Sequence, residues 1–185
     1  MDRPESHPLK IEAYTHSPAC CVEHDPLTAE VAARIAQALQ SDMPSLCTEH
    51  IGSTAVPGCA GKGIVDLAML YPPGQLAATR DLVDRLGFQH QPHRNPFPEG
   101  RPMRVGAIAQ GDRCYQLHVH ILAADSKEAA NLLRFRDVLR ENPSLLTAYV
   151  TRKREILEAG VTDSLDYCAA KSRFIERILG QSEAE

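Results

Sequence analysis

The sequence predicts an α/β (α+β) fold: a mixed β-sheet of about four or five strands, backed by helices and followed by a helical C-terminal third. Three observations carry this reading. Short apolar runs bounded by turn residues recur at 46–51, 64–71, 103–109 and 115–123. Early in the chain they alternate with stretches whose apolar residues fall three or four apart. From Asp125 onward only the helical period remains.

Taken in order, residues 1–8 are polar with two prolines and read as a flexible tail. Leu9 to Tyr14 reads as a short edge strand. Asp25-Pro26 is a helix start, because Asp accepts free backbone N–H groups and Pro suits the first turn. Val31, Ile35 and Leu39 continue that helix at a spacing of four, and Met43-Pro44 ends it. Leu46 to Ile51 is a strand and Ile64 to Tyr71 a more buried one. Pro57, Gly58, Gly61 and Gly63 make the connection between them an ordered loop. Gln75 to Leu86 is a helix closed by Gly87. Residues 90–102 hold four prolines and several cations, a loop able to reach over a site. Met103 to Ala109 and Tyr115 to Ala123 form a hairpin through Gln110-Gly111-Asp112. Asp125-Ser126 caps a helix that stops at Asn142-Pro143. A second helix runs from about Leu145 to Ala159, and Asp163 caps a third, with Tyr167, Phe174, Ile175 and Ile178 on its apolar side.

A length of 185 residues fits one domain, expected over 9–180 with 125–180 its helical part. The net charge of -4 argues against a non-specific nucleic-acid binder, which would carry a basic face. No apolar run is long enough to span a bilayer, and the polar start is no signal peptide. Cys20, Cys21, Cys47, Cys59, Cys114 and Cys168 include no C-x-x-C pair, so free thiols in a reducing cytoplasm are expected. A small anionic or nucleotide ligand is the expected partner; oligomeric state is not legible.

The chemistry concentrates between Glu49 and Leu70. A strand ends in Ile51-Gly52-Ser53, twelve residues intervene, and Asp66 stands inside the apolar run Ile64-Val65-Asp66-Leu67. At a strand end, Gly52, Ser53 and Thr54 can offer backbone N–H groups and hydroxyls to a phosphate; the plain alternative is a turn. A carboxylate in an apolar strand is costly unless paired or metal-bound, so Asp66 binds a metal or makes a structural salt bridge, for example to Lys62. This is the layout of a nucleotidyltransferase site, except that the position of its second carboxylate holds Ala68. His118 and His120 are two apart on a strand, so their imidazoles share a face. With Asp66, and with His50 as a further ligand, they would suit one Zn²⁺, Mn²⁺ or Fe²⁺ ion. Glu49 is placed to orient His50 or act as a base. Lys62, Arg101 and Arg104 are the cations expected to meet a phosphate. Arg134, Arg136, Arg140, Arg152, Lys153 and Arg154 read as solvated helix faces or exposed ion pairs.

The run EHIGSTAVPG, a following lysine and IVDL resemble the GrpB family. So do LHVHIL at 117–122, FRDVLRENP at 135–143 and YCAAKSRFI from Tyr167 to Ile175, in family order over roughly residues 10–180. The resemblance implies a DNA polymerase beta-like nucleotidyltransferase fold and a nucleotidyltransferase activity with Mg²⁺. Related domains also occur fused behind dephospho-CoA kinase. Two positions depart from the family pattern, Lys62-Gly63 where Lys-Pro is common and His118-Val119-His120 where His-Leu-His is frequent. Three functions follow as expectations. In the first, a nucleotidyltransferase moves a nucleotidyl group from an NTP to a small acceptor, with Lys62 or Arg104 neutralising the phosphate. The second is a metal-dependent or acid–base enzyme using the His/Asp cluster on a small anion. The third is a module that binds a nucleotide or CoA-like phosphate without turnover.

Overall fold

A computed structural model describes residues 9–92 and 96–180. The tail expected at 1–8 lies outside them, as do residues 93–95 of the proline-bearing loop. Five strands form one sheet: β1 (Cys47–Ile51), β2 (Val65–Tyr71), β3 (Gln89–His90), β4 (Met103–Gln110) and β5 (Arg113–Ala123), in the order β1-β2-β5-β4-β3. The central pair β2/β5 is parallel and every other pair antiparallel, so the sheet is mixed as expected. Gly111, with φ 59°, makes the tight turn between β4 and β5. The two-residue β3 carries too little pattern to be read from sequence. Leu9 to Tyr14 is not a strand; it makes a single bridge, Glu12 to Ala107 on β4.

Two helices, α1 (Leu27–Asp42) and α2 (Leu76–Arg85), cover one face of the sheet. Val31, Ile35 and Leu39 of α1 pack there on Val65, Leu67 and Met69 of β2 and Leu117, Val119 and Ile121 of β5. Each set follows its own period, four on the helix and two on the strands. The opposite face receives α3 (Lys127–Glu141), α4 (Pro143–Glu158) and α5 (Ser164–Ile178). Ser126 caps α3 by accepting from the Ala129 N–H, and Asp163 caps α5 through Leu165 and Asp166. On this face Ile51, Ala68, Leu70 and Leu122 pack against Ala129 of α3. The loop after β1 packs on the C-terminal helices through Val56, Cys59 and Ala60 against Leu139, Tyr149 and Val150. All six cysteines are free. Among the described residues no helix is long and apolar enough to cross a membrane.

Candidate functional site

Adjacent parallel strands bring the cluster together. Asp66 on β2 pairs with His118 on β5, and Ala68 pairs with His120, so the acid and both imidazoles share the face toward the C-terminal helices. Their ligating atoms all lie within 4.8 Å of one another. Asp66 Oδ1 is 3.2 Å from His118 Nδ1 and 3.9 Å from His120 Nε2. Burial works to raise the Asp66 pKa, but the hydrogen bonds and charges of His118 and His120 outweigh it and hold the carboxylate well below its usual range. It is therefore ionised at neutral pH. Tyr14 stands on the far side of His118, its hydroxyl 3.2 Å from Nε2. Burial, reinforced by Asp66, raises the Tyr14 pKa, so it keeps its proton. Phe97 meets His120 edge-on with ring centroids 5.9 Å apart, so the proline-bearing loop does reach the site.

Gly52 and Ser53 border the same cavity. Ser53 opens a single 3₁₀ turn, Ser53–Ala55, and Gly52 precedes it at φ 71°, ψ -169°. That backbone region is open essentially to glycine alone, and a Cβ at Gly52 would overlap the Asp66 carboxylate. Gly52→Ala should therefore lower stability by about 2–3 kcal/mol through backbone strain and displace Asp66 from the cluster. Urea unfolding with Zn²⁺ titration checks both. Unchanged metal affinity would show that the close approach of Gly52 to Asp66 has no role in the site.

Several other expected residues stand elsewhere. His50 pairs with Leu67, one step out of phase with Asp66, and so occupies the opposite face of the sheet. It is not a fourth member of the cluster. Its Nε2 lies 3.0 Å from Thr54 Oγ1. The single hydroxyl proton of Thr54 goes to the Ile64 carbonyl, so His50 Nε2–H donates to Thr54. Burial pushes the His50 pKa down to about 4, which Asp66 opposes and Arg140 and Arg136 reinforce, leaving a neutral imidazole at pH 7. Thr54 is buried and holds the loop rather than facing the cavity. Glu49 neither orients His50 nor stands free as a base: it accepts from Arg136 Nη1 at 2.7 Å.

The expected phosphate cations divide. Lys62 lines the cavity and donates to Ser164 Oγ. Arg104 pairs with Val119, on the face away from the cluster, and is 2% exposed between Asp84 at 2.6 Å and Glu99 at 3.0 Å. Arg101 is bound to Glu128 and stacks 4.3 Å over Phe97, supporting the loop rather than lining the cavity. The salt bridge considered between Lys62 and Asp66 does not form; Asp66 has histidine partners instead.

The cavity has a volume of about 380 Å³ and runs from the Asp66 cluster to α4 and α5. Sequence reasoning missed Tyr14, Lys153, Lys171 and Tyr167 on its wall. Lys153 is no solvated residue; it is 1% exposed and donates to the Ala60 carbonyl. Nor are Arg136 and Arg140 on a free helix face: Arg136 binds the His50 carbonyl of β1 and Arg140 the Ala55 carbonyl of the turn after it, tying α3 to both. A signal for the lysines existed. Lys153 falls four after Tyr149 and three before Ile156, and Lys171 four after Tyr167 and three before Phe174. Each cation is in phase with its helix's apolar stripe, where a charge needs a reason.

Comparison with known proteins finds relatives of this chain. The family model described as GrpB protein matches residues 19–181. A UPF0157 protein of Pseudomonas aeruginosa is 34% identical over 86% of this chain, which spans 66% of that relative's length. A UPF0157 protein of Streptomyces coelicolor is 32% identical over 82% of this chain and 75% of its own. The crystal structure of conserved protein GrpB from Enterococcus faecalis superposes with a TM-score of 0.66 at 31% identity, covering 86% of this chain and 94% of that one.

Proposed function

The chain belongs to the GrpB family, and from that premise we propose that it is a single-metal enzyme acting on a small anionic substrate. The observation that carries this reading is the Asp66, His118 and His120 donor set, gathered within 4.8 Å at the wall of a 380 Å³ cavity. Two imidazoles and one carboxylate suit Zn²⁺, Mn²⁺ or Fe²⁺. They suit Mg²⁺ poorly, since that ion prefers oxygen ligands, and among the described residues Asp66 is the one carboxylate lining the cavity. A bound ion of this kind supplies Lewis acidity and lowers the pKa of a coordinated water.

The protein's own groups would do the rest. Gly52 and Ser53 present a backbone turn and a hydroxyl beside Asp66, where an anionic oxygen can be held. Ile51, Met103 and Val105 make an apolar wall that limits water and strengthens the charges inside. Tyr14, a hydroxyl at neutral pH, can accept from His118 Nε2–H, which leaves the Nδ1 lone pair beside Asp66 for an ion. Tyr14→Phe should weaken Zn²⁺ or Mn²⁺ binding by about tenfold without loss of fold. Calorimetric metal titration beside a thermal melt reads both, and full affinity in the variant would remove Tyr14 from the site.

The close approach of Gly52 to Asp66, with Ser53 next to it on the cavity wall, favours one second reading, nucleotidyl transfer from an NTP in the same cavity. Calorimetry on metal-stripped protein separates the two. Tight Zn²⁺ or Mn²⁺ binding independent of nucleotide supports the single-metal enzyme. Binding of Mg-ATP or Mg-CTP without transition-metal affinity would overturn it in favour of nucleotidyl transfer or a non-catalytic nucleotide module.

A further inference from the structure

The cavity carries an excess of positive charge. Among the described residues Lys62, Lys153 and Lys171 line it, against the single carboxylate of Asp66. Among the described residues none of the three lysines makes a salt bridge with an acid. Their contacts are neutral. Lys62 donates to Ser164 Oγ, and Lys153 to the Ala60 carbonyl with Cys59 Sγ at 3.3 Å. Lys171 has a ring beneath it, Tyr167 at 4.3 Å, which is also 5.5 Å from Lys62 Nζ. An ammonium has three protons to give, so every one of these groups keeps donors in reserve.

A second observation points to a ligand. Tyr167 is 1% exposed and lines the cavity between Lys62 and Lys171, yet its hydroxyl has no hydrogen-bond partner. A buried, unsatisfied hydroxyl costs about 1–3 kcal/mol, and a bound acceptor removes that cost. Of the three cations Lys153 is buried and Lys62 and Lys171 half-buried; a buried cation without a counter-charge is costlier still, and an anion relieves it in the same step.

We propose that Lys62, Lys153, Lys171 and the Tyr167 hydroxyl form a phosphate subsite, which holds the phosphate of a phosphorylated small molecule while its other end faces Asp66, His118 and His120. Three ammonium groups arriving from the loop after β1, from α4 and from α5 match a dianion with tetrahedrally disposed oxygens. A carboxylate would be better served by a guanidinium fork, and among the described residues no arginine lines the cavity. The subsite rests on the proposed function only in sharing its cavity, and it needs no metal to bind phosphate.

The test is calorimetry on the metal-stripped 185-residue chain with inorganic phosphate, pyrophosphate, AMP and adenosine, followed by Zn²⁺ titration of the same samples. Phosphate-bearing probes should bind and adenosine should not. AMP stronger than inorganic phosphate would assign an organic phosphate, and the reverse order the free ion; either agrees with the subsite. Lys171→Met and Lys62→Met, which keep side-chain length, should each weaken the phosphate probes about tenfold or more, as should Tyr167→Phe. Tyr167→Phe should do so without loss of thermal stability, because the orphan hydroxyl is gone. Zn²⁺ affinity should stay within about twofold in all three variants, since the lysines are no part of the donor set. Failure of every phosphate probe, or undiminished binding in the lysine variants, overturns the subsite. Loss of Zn²⁺ binding in the unaltered protein with phosphate binding kept would overturn the single-metal reading and leave the subsite standing.

Discussion

Asp66→Ala is expected to abolish tight transition-metal binding, weakening Zn²⁺ or Mn²⁺ affinity on the order of 100-fold or more. Loss of an outer partner of a ligand already costs roughly 10–100-fold, and Asp66 is the only anionic donor in the set. Its carboxylate is ionised at neutral pH, so it supplies charge as well as geometry. Asp66→Asn keeps the shape but not the charge and should fall between. His50→Ala is the control. Because His50 faces the other side of the sheet, bonded to Thr54, its removal should leave metal affinity within about twofold. Isothermal titration of the three variants decides the matter. Equal metal affinity in Asp66→Ala and the unaltered protein would sink the proposed site.

Ala68→Asp should destabilise the protein by about 3 kcal/mol or more, and should not arm a two-carboxylate Mg²⁺ site. Ala68 is on the same strand face as Asp66, so the added acid points to the correct side. What surrounds it there is mostly apolar, although His120 stands beside it on β5. The residue is 0% exposed and packed with Ile51, Leu70, Leu122 and Ala129, with Leu132 and Leu133 closing over them. Its cross-strand neighbour Glu49 is a second carboxylate, already engaged by Arg136. A new charge would be desolvated and next to a like charge. Urea unfolding measures the loss, and Mg-ATP calorimetry on the folded fraction measures any gain. A stable variant that acquires Mg²⁺-dependent nucleotide binding would make nucleotidyl transfer the better reading of this cavity.

How much of the site could be read beforehand depended on how local each feature is. The pairing of His118 with His120 needed only the period of one strand, and it held. The meeting of those histidines with Asp66 needed β2 and β5 to be neighbours, which the family resemblance implied and the parallel register bears out. His50 was misjudged because a strand's period fixes which of its residues share a face, not which face meets the site. Arg104 was misjudged for the same reason, alternating with Met103 and Val105 that do line the cavity. Lys153 and Lys171 were passed over because a charged residue on a helix is ordinarily solvated; their place in the apolar stripe was the overlooked signal.

The sequence by itself determined the mixed sheet and the three C-terminal helices, and singled out Gly52-Ser53, Asp66 and His118/His120 as the candidate site. The strands and helices follow from short-range periodicity, caps and breakers, which act over a few residues, whereas the candidate site rested on its nucleotidyltransferase-like layout and the family resemblance. Only the tertiary structure decided that the C-terminal helices wall the cavity, and that Lys153 and Lys171 reach it from far along the chain. It also decided that His50, Glu49 and Arg104 are engaged elsewhere. These outcomes depend on which apolar face each helix buries and against what. That is set by long-range packing, to which local sequence pattern is blind.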